Sequence, residues 1–164
     1  MIAIKAENAP SEAEVKAAFL LNFPKYVEWP PEVFAEANSP IVIAIFGGDK
    51  VADLCSAMSE GKVINGHPVR LVRLTEVDQC RDCQILFVGS DESRRLPEIL
   101  AKVRGSNVLT VGESDNFIEQ GGIINLVRRD RRVVLEVNLD GARQTELKIS
   151  SKLLAVATVI GGKK

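Results

Sequence analysis

The run Ile41-Val42-Ile43-Ala44-Ile45-Phe46, closed by Gly47-Gly48, limits the fold more than any other stretch of the chain. Six apolar, mostly β-branched residues with no polar alternation describe a strand covered on both faces. Such strands belong to parallel sheets with helices on either side. The chain continues in that pattern. Residues 49–59 read as a helix with Val51, Leu54, Cys55 and Met58 on one stripe, followed by Gly61 and an Asn65-Gly66 turn. Residues 69–74 and 84–88 read as strands, the first near a sheet edge and the second short and fully buried. Residues 91–104 place Leu96, Ile99, Leu100 and Val103 at helical spacing, and Pro97 marks the start of the regular part.

Residues 108–111 give a fourth strand, and 114–120 a short helix stopped by Gly121-Gly122. Residues 123–127 and 132–138 form a hairpin across Arg128-Arg129-Asp130-Arg131. A last helix is expected from Ser150 or Ser151, with Leu153, Val156, Ala157 and Ile160 on one side. Ahead of the first strand, Ser11 and Glu14 form a capping box for a helix that runs to Phe23, is kinked by Pro24 and is ended by Pro30-Pro31. The class is therefore layered α/β: a mostly parallel sheet of Rossmann-like order with a C-terminal antiparallel hairpin. Ile43, Ile45, Leu86, Val88, Leu109 and Val111 should all be inaccessible. Residues 1–10 read as a leader and 11–164 as one domain, the size at which one core suffices.

Lys and Arg nearly balance Asp and Glu, for a net charge of -1. That argues against a broad electrostatic surface for nucleic acid or anionic membrane. No window approaches the ~18 apolar residues of a membrane helix. The chain's one histidine, His67, sits between Gly66 and Pro68, so an HExxH zinc site is impossible and a strand-edge role is expected. Cys80-Arg81-Asp82-Cys83 precedes a strand, whereas a redox CxxC follows one and opens a helix. Cys55, Cys80, Cys83 and His67 lack the paired spacing of a structural zinc site. Neither a dinucleotide fingerprint nor a P-loop occurs, and Ser59-Glu60-Gly61-Lys62 falls at a helix end, where an Ser-x-x-Lys nucleophile does not sit. A receiver domain would need an Asp closing the third strand, which instead runs into Gly89-Ser90. No catalytic residue, metal site or cofactor is expected.

Three features invite a functional reading. The first helix is apolar on more than one face, which suits burial between layers or a partner or dimer surface at Phe19, Leu20, Phe23 and Tyr26. Arg128, Arg129, Arg131 and Arg132 make a basic hairpin tip able to meet an acidic partner. Asp49, Ser90 and Glu113 follow the carboxyl ends of three strands, where a ligand crevice forms in sheets of this kind.

Several stretches in order resemble one family: Val15-Lys16-Ala17-Ala18-Phe19 with Asn22-Phe23; Lys25-Tyr26-Val27-Glu28-Trp29-Pro30; Gly61-Lys62 with Gly66 and Pro68-Val69; Cys83-Gln84-Ile85-Leu86-Phe87; Val108-Leu109-Thr110-Val111; Gly121-Gly122; Glu136-Val137-Asn138-Leu139; and Lys148-Ile149-Ser150-Ser151 with Leu153-Leu154. Together they are similar to the YfiR-like family. The resemblance implies a periplasmic α/β domain whose signal peptide has been removed, with no catalytic residues. It implies a signalling regulator, in which the domain represses a membrane-bound diguanylate cyclase by binding its periplasmic region. That lowers cyclic di-GMP and restrains biofilm formation. Related domains serve as sensor portions of receptors, so a small-molecule sensor is the alternative. A homodimer is the expected assembly. Cys83 matches a cysteine common in the family, whereas Cys55 and Cys80 are additions. The helix carrying Cys55 returns toward the start of the third strand, so a Cys55–Cys80 disulfide is expected, as suits an oxidising compartment.

Overall fold

A computed structural model describes residues 10–79 and 81–161 of the chain. The first helix, α1 (Glu12–Asn22), is opened by the expected capping box, with the Ser11 side chain accepting from Glu14 N and the Glu14 side chain from Ser11 N. A short 3-10 turn over Phe23–Lys25 contains Pro24. The chain then forms β1 (Val27–Glu28), β2 (Ile41–Phe46), α2 (Asp49–Met58), β3 (Val63–Ile64), β4 (His67–Leu74) and β5 (Ile85–Val88). Next come a 3-10 segment (Ser90–Arg95), α3 (Leu96–Val103), β6 (Leu109–Gly112), β7 (Ile124–Arg129) and β8 (Arg132–Asn138). The chain closes with α4 (Leu139–Gln144), β9 (Lys148–Ile149), α5 (Ser151–Leu154) and β10 (Ala157–Ile160).

The main sheet has eight strands in the order β10-β8-β7-β6-β5-β2-β4-β3, and β1 pairs with β9 in a small antiparallel sheet. Strands β4, β2, β5, β6 and β7 run parallel; β8 is antiparallel to β7. The sheet separates two apolar layers. One holds Ile43, Ile45, Ile85 and Phe87 against α1 and α2. The other holds Ala44, Phe46, Leu86 and Val88 against α3 and Phe117. The six residues expected to be inaccessible are each at most 1% exposed. The layered, mostly parallel α/β class read from the strand pattern is the observed one.

Three local expectations give way. Residues 150–160 make one helical turn and then β10, which pairs parallel to β8. The β-branched run Thr158-Val159-Ile160 prefers a pleated edge to a helix whose exposed face it would crowd. Residues 114–120 form turns rather than a helix, with Asn116 at φ 67° interrupting any helical ladder. Met58, the last residue of α2, leaves the apolar stripe and is 43% exposed. The expected leader lies almost entirely outside the described residues.

Candidate functional site: a charged crevice at the sheet's switch point

From β2 the chain crosses to β4 on one side, then returns past β2 to β5 on the other. The carboxyl ends of β2 and β5 therefore diverge into connections that leave in opposite directions, and a crevice opens between them. Gly48 lines it, backed by Gly89. Gly48 holds φ 59°, in the left-handed region, and a Cβ on Gly89 would lie 2.5 Å from Gly48 N. Only glycine permits this approach. The resulting space is about 430 Å³ and is walled by Ser11, Glu12 and Lys16 of the α1 start, Asp49 and Lys50 of α2, and Ser90, Asp91 and Glu113. The three residues singled out for a crevice, Asp49, Ser90 and Glu113, are thus brought together.

Two backbone amides knit the rim. Gly48 N–H donates to Asp91 Oδ1 at 2.9 Å, and Ser90 N–H donates to Glu113 Oε2 at 2.9 Å. Glu113 Oε1 accepts from Lys16 Nζ at 2.6 Å, and Lys16 Nζ also pairs with Glu12 Oε2 at 2.7 Å. Glu12 Oε1 in turn lies 3.6 Å from Arg128 Nη1 on the hairpin. Lys16 is only 6% exposed. Burial alone would push its ammonium down, but the Glu113 and Glu12 carboxylates more than offset this, and it titrates above its ordinary value. The hydrogen bond from Lys16 holds Glu12 below the usual carboxylate range. Both groups stay charged at neutral pH. A buried ion cluster of this kind contributes little net stability. What it does is fix a pattern of charge at the mouth of the crevice.

Lys16, Glu12 and Asp91 were not legible as crevice residues. Lys16 sits among alanines and a phenylalanine in a run that reads as packing. Its one signal was a lysine at the head of the apolar run that makes up the rest of the helix.

The other site expectations fare unequally. Leu20 and Phe23 are 0% and 1% exposed, packed inside the layer between α1 and the sheet, so they are corrected from surface to core. Phe19 and Tyr26 are half-buried and border a shallow apolar pocket of about 320 Å³ with Lys152, Leu153 and Val156. The hairpin turns on Asp130 and Arg131, both with positive φ. Arg128, Arg131 and Arg132 line a groove against Pro10, Glu12, Val15 and Val133, whereas Arg129 is turned aside and held by Glu136 at 3.1 Å. His67 stacks on Phe34 at 4.2 Å, and its Nδ1 lies 2.7 Å from Ser39 O, the strand-edge role expected.

The expected Cys55–Cys80 bridge involves Cys80, which lies outside the described residues. Cys55 is a free, fully buried thiol under α1, its Sγ 3.9 Å from Ala17 O. Cys55 faces inward from α2, toward the α1 layer. The approach to β5, carrying Cys83, packs in the opposite layer. Burial pushes the Cys55 thiol up to about 12.

The sequence model of the YfiR/HmsC-like family matches residues 13–158, nearly the whole described chain. The chain belongs to the YfiR/HmsC-like family. No curated protein matches it. Two crystal structures share the fold. One is a conserved domain protein from Vibrio cholerae O1 biovar El Tor, with a TM-score of 0.64 and 12% identity over 91% of this chain and 60% of that one. The other is the ABC domain from Streptococcus pneumonia in complex with L-Trp, with a TM-score of 0.58 and 10% identity over 92% of this chain and 61% of that one. This YfiR/HmsC-like chain therefore spans about three-fifths of each, and at such identity the likeness is one of fold. No helix among the described residues is long and apolar enough to cross a membrane.

Proposed function

We propose that the chain is a non-enzymatic periplasmic regulator that binds the periplasmic region of a membrane-bound diguanylate cyclase and represses it. Cyclic di-GMP then falls and biofilm formation is restrained. The observation that carries this reading is the family match over residues 13–158. The structure adds surfaces suited to protein binding: the arginine-lined groove and the half-buried Phe19 and Tyr26. A homodimer through Phe19 and Tyr26 is part of the proposal, and sedimentation velocity on the wild type and a Phe19→Ser/Tyr26→Ser variant tests it. The regulatory role is tested by capture from the solubilised membranes of the source bacterium, with cyclic di-GMP measured in cells lacking the protein. The reading expects a cyclase in the captured fraction and a raised nucleotide level. An unchanged level would overturn it.

A second reading rests on the crevice. A built, charged cavity at the switch point is where small ligands bind in open α/β sheets, and the Streptococcus ABC domain of similar fold is held in complex with L-Trp. On this reading the domain senses a small polar molecule and adjusts partner binding accordingly. Thermal-shift screening against small zwitterions and carboxylates tests it. A hit that Lys16→Met abolishes supports the sensor, and no hit from such a set discards it.

A further inference from the structure

The β7–β8 hairpin projects from the same end of the sheet as the crevice, and its tip carries an unusual choice of residues. A two-residue turn with both central residues at positive φ favours Asn-Gly or Asp-Gly. Here Asp130 has φ 50° and the second position, at φ 69°, is Arg131. Glycine would relax the turn, yet a long cation occupies it. Arg131 and Arg132 make no ion pair among the described residues. With Arg128 they line a groove of about 770 Å³, whose other walls include Val15 and Val133. Within this groove Glu12 already meets Arg128, and its other oxygen is held by Lys16.

We propose that this groove docks an acidic, partly apolar segment of a protein partner, with partner carboxylates on Arg128, Arg131 and Arg132 and apolar side chains on Val15 and Val133. Charge complementarity names the occupant. Two arginines without partners beside apolar walls ask for carboxylates interleaved with apolar side chains. A lipid surface is disfavoured, because Glu12, Asp130 and Glu136 stand around the arginines and the chain as a whole is net -1. Glu12 acts as an internal competitor for Arg128, so its removal frees a cation for the partner. The inference rests on the regulatory reading only in taking the cyclase's periplasmic region as the natural source of the segment.

The test is fluorescence anisotropy on the full chain with a labelled decapeptide of alternating Glu and Val, and a Lys-Val decapeptide as control. The Glu-Val peptide is expected to bind, weakening as salt rises. An Arg131→Gly/Arg132→Gln variant should lose about tenfold or more in affinity. Because Gly suits the turn, this variant keeps or raises the melting temperature, which separates lost binding from lost folding. Glu12→Gln should tighten binding by about threefold. Equal binding of both peptides, or full affinity in the double variant, overturns the proposal. So does uptake by phosphatidylglycerol vesicles without peptide binding, which would make the surface a membrane contact. The purified periplasmic region of the cyclase distinguishes this failure from failure of the regulatory reading. If that region binds the wild type and the double variant equally, the groove is wrong and the regulator stands. If the peptide binds and that region does not, the groove stands and the regulator is wrong.

Discussion

The two halves of α1 share one helix and differ in what they do. The C-terminal half, with Leu20 and Leu21 and followed by Phe23 at its cap, is apolar beyond the needs of one packing face and invites a docking role, yet it is buried within the domain. The N-terminal half carries a lysine among small apolar residues and looks like scaffold. It supplies Lys16 to the crevice and Glu12 to both crevice and groove. The contrast teaches that an all-round apolar helix marks a middle layer, packed here against both the sheet and α2. The polar exception inside such a run is the better pointer to function, since a buried ion needs specific partners to be tolerated there.

The comparison breaks first at Phe23. Phe23→Ala should lower unfolding free energy by about 3–5 kcal/mol in urea titrations, whereas Phe19→Ala should cost about 1 kcal/mol or less. Similar losses at both positions would mean that the C-terminal half is not a buried layer. Cys55, under the middle of α1, sharpens the point. With its pKa pushed up to about 12 from an ordinary 9.0, it holds roughly a thousandfold less thiolate at pH 8 than an exposed cysteine. Iodoacetamide should label it only on unfolding, and rapid native labelling would show that α1 does not cover it.

In the N-terminal half, Lys16→Met should cost about 3 kcal/mol, because it strands the Glu113 carboxylate in a part-buried site. Adding Glu113→Gln should recover part of that loss. If the single variant is as stable as the wild type, the cluster is not held as described. The smallest effect is in pH. Glu12 is depressed, so its stabilisation is present above its ordinary value of 4.5 and is lost as pH falls through its lower folded value. Lys16 is raised, so its share is present below 10.5 and is lost as pH climbs through its higher folded value. Glu12→Gln should flatten the acid limb by about 0.5 kcal/mol, the scale of a pair whose carboxylate is exposed to solvent.

The class of fold was legible because β2 and β5 carry unbroken apolar runs of strand length, as parallel strands covered on both faces do. The crevice was legible in outline for the same reason. Where strands end follows from glycines, so Asp49, Ser90 and Glu113 could be placed at one end of the sheet. Lys16 was hidden because its crevice partner Glu113 lies 97 residues away. β10 was misread because residues 153–160 satisfy helical spacing while their β-branched content favours an edge. Local pattern cannot choose between these, but the open side of β8 can. That Cys55 faces the α1 layer depends on the phase of α2 about its axis, which sequence spacing alone leaves open.

The account stands or falls on protein binding without chemistry. Isothermal titration of the purified chain into the purified periplasmic region of the source bacterium's membrane-bound diguanylate cyclase measures it directly. A saturable heat with a fixed stoichiometry is predicted, reduced in the Arg131→Gly/Arg132→Gln variant. A flat titration with both proteins folded would contradict the account.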